Sequence, residues 1–226
     1  MTESTYLTGL DLGQAQDYTA LAIVERTVCE DEENEPYTRT FDAAMGWMTT
    51  IRPWANPTAK KAGYRYAVRH LERFELGTSY PAICKRVVEL FAEPPLKYRT
   101  LIVDQTGVGR PVVDMLRRAR PKACIRPITI TSGNAVVPDG AGYHVPKKDL
   151  VSAMQVVFQS RRIQVARSLP NAAVLMKELE SFRVKITTSG NETFEAWRDR
   201  DHDDLVLAVA MAVWMGEHGL KKMWIA

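Results

Sequence analysis

The residues Leu205-Val206-Leu207-Ala208-Val209-Ala210-Met211-Ala212-Val213-Trp214 contain no polar side chain larger than the Trp indole, and the acidic cluster Asp201-His202-Asp203-Asp204 stands directly before them. A helix that is apolar all the way round belongs in a protein interior. The rest of the chain must therefore supply elements that enclose it. Its first turn then brings carboxylates to the edge of the core. Taken alone, an acid at a helix start is explained by capping and by the helix dipole. The stretch falls short of the roughly 20 residues of a membrane span, and Gly216-Glu217-His218 follows at once.

The remainder of the 226 residues is ordinary globular material, 46% hydrophobic and 25% charged. That is enough for one sizeable core. With no internal repeat and no linker in view, residues 1–226 read as a single domain. The N-terminus Met1-Thr2-Glu3-Ser4-Thr5 is polar and shows no signal-peptide core. Three scattered cysteines give no disulfide framework, which points to a cytoplasmic setting. The four histidines lack zinc-like spacing. The net charge is only +3, but five acids sit in Glu30-Asp31-Glu32-Glu33-Asn34-Glu35. The rest of the chain is therefore more basic than the total suggests, as a polyanion-binding surface requires.

Periodicity and turn residues order the elements. Tyr6–Asp11 and Asp17–Arg26 read as strands joined through Gly13, and a third strand is expected around Tyr37–Trp47. Met48–Gly63 reads as an exposed excursion carrying Lys60 and Lys61. Tyr64–Phe74 alternates Tyr64, Tyr66 and Val68 with Arg65, Ala67 and Arg69, as a strand does. Aromatics interleaved with this positive charge make Lys60, Lys61, Arg65 and Arg69 candidate DNA contacts. A helix follows from Gly77 to about Ala92, then a strand Tyr98–Asp104, a helix opened by Pro111, and a strand Cys124–Ile130. Thr131–Tyr143, rich in glycine, reads as a mobile loop. Val145–Leu150 opens a helix to about Gln159, Arg161–Val165 is a short strand or turn, and Asn171–Phe182 is a helix. Val184–Thr188 and Glu192–Ala196 read as a hairpin before the final helix.

Three apolar elements thus end or begin on acids: Asp11, Asp104, and Asp203 with Asp204. Buried elements converge, so their ends can converge. Clustered carboxylates repel and hold their protons more tightly. A hard divalent cation removes that cost, because Mg²⁺ and Mn²⁺ prefer oxygen ligands. Two such ions can clamp an in-line displacement at phosphorus.

The contexts of these acids resemble the nuclease domains of viral (tailed bacteriophage) large terminases. Gly9-Leu10-Asp11-Leu12-Gly13 with Asp17-Tyr18-Thr19-Ala20 is similar to their first acidic motif. Val103-Asp104-Gln105-Thr106-Gly107-Val108-Gly109 is similar to the second, and His202-Asp203-Asp204 before Leu205–Ala208 to the third. Val145-Pro146-Lys147-Lys148-Asp149-Leu150 resembles the family's middle region. The resemblance implies an α/β ribonuclease-H-like fold, three antiparallel strands extended by parallel ones with helices on both faces. It implies an endonuclease dependent on two Mg²⁺ or Mn²⁺ ions that cuts double-stranded viral DNA during genome packaging. Asp11, Asp104 and Asp204 would be metal ligands, and Asp203 a ligand or a partner of one, since neighbouring helical residues point ~100° apart. Asp17 would assist, and Lys147 or Lys148 would hold the scissile phosphate. A motor ATPase, the portal and the small terminase would be partners. No Gly-x-x-x-x-Gly-Lys-Ser/Thr loop is present, so the chain is not itself the motor.

Two other readings share these residues. A Holliday-junction-resolvase-like nuclease has the same fold and acids. An actin-like or sugar-kinase-type ATP-binding protein also places Asp-x-Gly between two strands, as Asp11-Leu12-Gly13 does.

Overall fold

The computed structural model describes residues 4–13, 17–30, 37–42, 46–51, 62–107, 109–188 and 203–219. The strands are β1 (Ser4–Asp11), β2 (Ala20–Glu30), β3 (Tyr37–Asp42), β4 (Gly46–Ile51), β5 (Ala62–Arg73), β6 (Thr100–Asp104), β7 (Cys124–Thr131), β8 (Val137–Asp139), β9 (Gly142–Pro146) and β10 (Ile163–Val165). The helices are α1 (Tyr80–Leu90), α2 (Gly109–Ala119), α3 (Lys147–Gln159), α4 (Ala172–Thr188) and α5 (Asp204–Trp214), the last running into a π-helical turn, Met215–Gly219.

Eight strands form one sheet in the order β10-β5-β2-β1-β6-β7-β9-β8, and β3 pairs only with β4. Strands β1, β2 and β5 are antiparallel, while β6, β7 and β9 continue the sheet in parallel from β1. Chain direction explains the division. Strands β1 and β2 are only eight residues apart in the chain, close enough for an antiparallel pair, whereas each parallel step needs a crossover.

The third antiparallel strand is therefore β5, not the Tyr37–Trp47 segment, which is split between β3 and β4. The alternation of Tyr64, Tyr66 and Val68 places Tyr66 and Val68 in the core. A bulge opposite Ile23/Val24 then shifts the register, and Leu71 takes the next buried position. Thr131–Tyr143 is not simply a loop: it contains β8 and the start of β9, an edge hairpin. Val184–Thr188 continues α4 as helix. Glu192–Ala196 lies outside the described residues, as do Lys60, Lys61 and most of the acidic run.

Two cores sandwich the sheet. One is built on α5, α3 and α4 with Leu7, Ala22, Val24, Tyr66, Val68 and Ile102. The other joins α1 and α2 to Leu10, Leu21, Ile23, Leu101 and Val103. Every residue of α5 from Asp204 to Trp214 is buried. At roughly 1.5–3 kcal/mol for each large apolar side chain, that burial outweighs the cost of carrying an acid into the interior at the helix's first turn. Gly9 allows the helix to lie directly on β1, because a Cβ there would stand 1.9 Å from the Ala208 carbonyl oxygen.

Candidate active site

The register of the sheet assembles the acids. Leu10 pairs with Val103 on the neighbouring parallel strand, so Asp11 and Asp104 end adjacent strands side by side. On the other flank Asp11 pairs with Ala20, and Ala20 with Arg73. One row across the sheet thus reads Arg73, Ala20, Asp11, Asp104. Asp11 shares a sheet face with Gly9, two residues back. Asp204 lies one helical turn before Ala208, which sits on Gly9. The same contact that packs the helix therefore carries Asp204 over the end of β1. After β1 the chain passes to β2 on one side and after β6 to β7 on the other, and such a switch point is the usual place for a site in an open α/β sheet.

Asp11 is 7% exposed and Asp204 5%. Burial pushes the Asp11 carboxyl well above the usual carboxylate range, and the charges of Asp104, Asp204 and Asp203 push it further, with Lys147 opposing. Asp104 is raised by burial too, against hydrogen bonds from Thr106 and one shared with Asp11. The pair retains a proton beyond the normal range for acids. Lys147, first residue of α3, reaches Asp203 Oδ2 at 3.3 Å. Lys148 does not: its Nζ donates to Asn134 Oδ1 at 2.7 Å. Asp17 is exposed and lines a cavity of about 400 Å³ with Gly13, Thr19 and the start of α1. Arg65 and Arg69 are exposed and lie back along β5 from Arg73, and Arg69 is paired with Glu25 at 2.6 Å. Neither joins the acids.

Three further residues take part. Thr106 aims Asp104: its N–H and Oγ donate to Asp104 Oδ1 at 2.8 and 2.5 Å, and Oγ accepts the Ile130 N–H at 2.9 Å. The signal for it is the Asp-x-Thr spacing of a side-chain turn. Gly109 keeps that turn tight, since a Cβ would meet the Asp104 carbonyl oxygen at 2.4 Å. Arg73 donates to Asp204 Oδ2 at 3.1 Å and stacks over Tyr18 at 3.8 Å. Glu178, buried on α4, accepts the Leu205 and Val206 N–H groups at 3.0 and 3.1 Å, capping α5 from outside its own sequence. Burial, with the Asp204 charge adding to it, raises Glu178 to about 7 despite these bonds. Neither Arg73 nor Glu178 has a local signature, because each meets the acids only through long-range packing.

Glu178→Ala is expected to destabilise the protein by about 1–2 kcal/mol, through loss of the cap. Glu178→Gln keeps an acceptor and should lose less. The ordinary value for Glu178 is 4.5, so the folded chain binds this proton more tightly than the unfolded one. Stability without metal should therefore fall as pH rises from about 4.5 to about 7, and Asp11 and Asp104 add to the same trend. Thermal melts of both variants and wild type in EDTA across this range would check it. A wild-type stability that rises with pH there, or no loss in Glu178→Ala, would contradict the assignment.

The four acids form an all-oxygen donor set suited to a hard divalent cation. Among the described residues, no three such side chains close around a single point as they stand. Arg73 and Lys147 meanwhile supply positive charge to Asp204 and Asp203. The chemistry of the set fits Mg²⁺ or Mn²⁺, and its buried, mutually repelling carboxyls are what a bound cation would relieve.

A mixed sheet of this order, with carboxylates on adjacent strand ends and on a buried helix above them, defines a ribonuclease-H-like protein. Residues 37–215 match the family described as Terminase RNaseH-like domain, and the chain belongs to that family. It is 32% identical over 77 residues to the large terminase subunits of Thermus phage G20c and Thermus virus P23-45. The match covers 33% of this chain and 15% of each relative. The crystal structure of the large terminase nuclease from thermophilic phage G20c shares the fold, with TM-score 0.51 at 19% identity, over 93% of this chain and 81% of that one. Among the described residues no helix is long and apolar enough to cross a membrane.

Proposed function

We propose that the chain is a single nuclease domain of a large terminase, an endonuclease that hydrolyses double-stranded DNA during viral genome packaging with two Mg²⁺ or Mn²⁺ ions. The observation that carries this is the side-by-side placement of Asp11 and Asp104 with Asp203 and Asp204 above them. Asp11, Asp104 and Asp204 would hold the ions, and Asp203 would serve as a ligand or orient one. Bound ions would supply Lewis-acid stabilisation and an activated water at phosphorus. Thr106 fixes the Asp104 carboxylate, Glu178 fixes the start of α5, and Lys147 places a cation where a phosphate would approach. Family membership favours this reading over the ATP-binding one, since the acids end strands of a terminase-type sheet. The curated relatives are several times longer than the matched segment. A motor ATPase, portal and small terminase are accordingly partners proposed for the whole assembly, not activities of these residues.

Plasmid cleavage should appear with Mn²⁺ or Mg²⁺ and drop to background in excess EDTA. The reason is a site made of carboxylates, which bind hard cations and offer no other nucleophile. Undiminished cutting by pure protein in EDTA would refute the mechanism.

A further inference from the structure

The end of the sheet opposite the acids is strongly basic. From Lys97 to Lys122 the chain holds seven Lys or Arg and two acids, but Asp104 and Arg110 stand at the site end, which leaves six Lys or Arg and one acid. That acid, Asp114, is engaged by Arg117 at 3.3 Å. Arg99, Arg118, Arg120 and Lys122 are exposed, and among the described residues no carboxylate forms an ion pair with them. The loops that carry them are tied into one platform where β6 and β7 begin. Tyr98 N–H donates to the Lys122 carbonyl at 2.6 Å, and Cys124 N–H to the Arg99 carbonyl at 2.9 Å.

The backbone of this platform is costly to hold. Tyr98 has φ +63° and Arg120 φ +51°. A left-handed conformation is disfavoured for a residue with a Cβ, which crowds the backbone there. Arg120 also occupies the position just past a helix where glycine is the usual choice. Tyr98 is nonetheless 73% exposed, and Arg120 is exposed too. Their side chains contribute little to the core, and backbone bonds from Tyr98 to Lys122 and from Arg120 to Leu116 hold them in place at the surface.

We propose that this platform is a second DNA-backbone contact, with Arg99, Arg118, Arg120 and Lys122 facing phosphates and Tyr98 lying against the sugar–phosphate edge. The inference rests on the DNA reading above. Phosphate suits it better than an acidic protein surface. Tyr98 is its sole exposed large hydrophobic residue, whereas protein interfaces are built on a desolvated apolar centre. Guanidinium forks match phosphate oxygens. The platform stands behind the acids by at least the length of β6, about 13 Å at 3.3 Å per residue, so it would engage a part of the duplex away from the cut.

The test is fluorescence anisotropy of the full chain in EDTA, with a labelled duplex of about 40 base pairs, over a salt series. The triple variant Arg118→Gln, Arg120→Gln, Lys122→Gln should bind about tenfold more weakly at low salt, with a salt slope shallower by about two to three. The charge-matched control Lys85→Gln, Arg167→Gln, Lys177→Gln, exposed and outside the platform, should lose much less. Tyr98→Gly should weaken binding several-fold without lowering the melting temperature, because glycine relieves the left-handed strain. Wild-type affinity and slope in the platform triple would overturn the proposal, as would equal losses in both triples. Tyr98→Gly that melts lower and binds normally would overturn the part given to Tyr98. Cleavage by Asp11→Asn is the separate test of the acids. If that variant still cuts DNA while the platform triple binds weakly, the catalytic reading fails and the platform stands.

Discussion

Asp11→Asn is expected to abolish DNA cleavage while making the metal-free protein more stable. Asp11 lies between Asp104 on one side and, through Ala20, the Arg73 flank on the other. It is also the acid that feels Asp104, Asp204 and Asp203 together. A residue so placed would be the ligand the ions could least do without. Cleavage should fall to background, in keeping with losing the reaction's metal clamp. The stability change has the opposite sign. A buried carboxyl whose proton is held above the ordinary range opposes folding at neutral pH. Its neutral isostere should add on the order of 1 kcal/mol, or about 2–4 °C for a chain of this size. Asp204→Asn should also lose cleavage, and Asp203→Asn, more exposed and already paired with Lys147, should lose less. Purified variants assayed across a Mn²⁺ series and melted in EDTA would decide. Near wild-type cutting by Asp11→Asn would show that the site lies elsewhere. A dead Asp203→Asn beside an active Asp204→Asn would reverse only the roles on α5.

Gly9→Ala is expected to be the most damaging small substitution. The added methyl would stand 1.9 Å from the Ala208 carbonyl oxygen, a backbone atom inside a wholly buried helix. No side chain can swing aside to relieve that overlap. Either α5 moves off β1 or the strand bends, and overpacking of this kind costs about 1–3 kcal/mol or more. The displacement acts directly on Asp204, one turn away, so activity should fall even in molecules that remain folded. Gly77→Ala, at an open position with φ +83°, is the control: it should cost some stability and leave cleavage intact. Chemical denaturation and Mn²⁺-dependent cleavage of both variants would check this. Wild-type stability in Gly9→Ala would contradict the close packing.

The acids themselves were legible in the sequence because each one interrupts an apolar run, and such runs must be buried. Their convergence became certain only with the pairing of Leu10 to Val103 and the seating of Ala208 on Gly9. Arg73 illustrates the limit. In the sequence it is one more charge on an alternating strand. A bulge between it and Val68, together with two strand pairings, sets it in line with Asp11. Glu178 is similar, an ordinary helix acid until α4 packs on the start of α5. The hairpin in Thr131–Tyr143 was hidden for another reason. Val137, Pro138 and Asp139 are all exposed, so an edge strand formed by backbone bonds leaves no burial pattern to detect. At Val184–Thr188 β-branched residues suggested a strand, but the helix already under way continues through them, as context often overrides propensity.

The acids at positions 11, 104 and 204 stand in the first strand, a middle strand and the last helix of the described fold. During synthesis the first is made long before the last, at about 5–20 residues per second. A chain still on the ribosome with α5 unmade has no closed core on that face of the sheet and lacks an acid. Fragments from truncation or nicking inherit the same deficit. On the proposed reading, hazardous chemistry is thereby withheld from every incomplete copy without any inhibitor, because finishing the core and arming the site are one event.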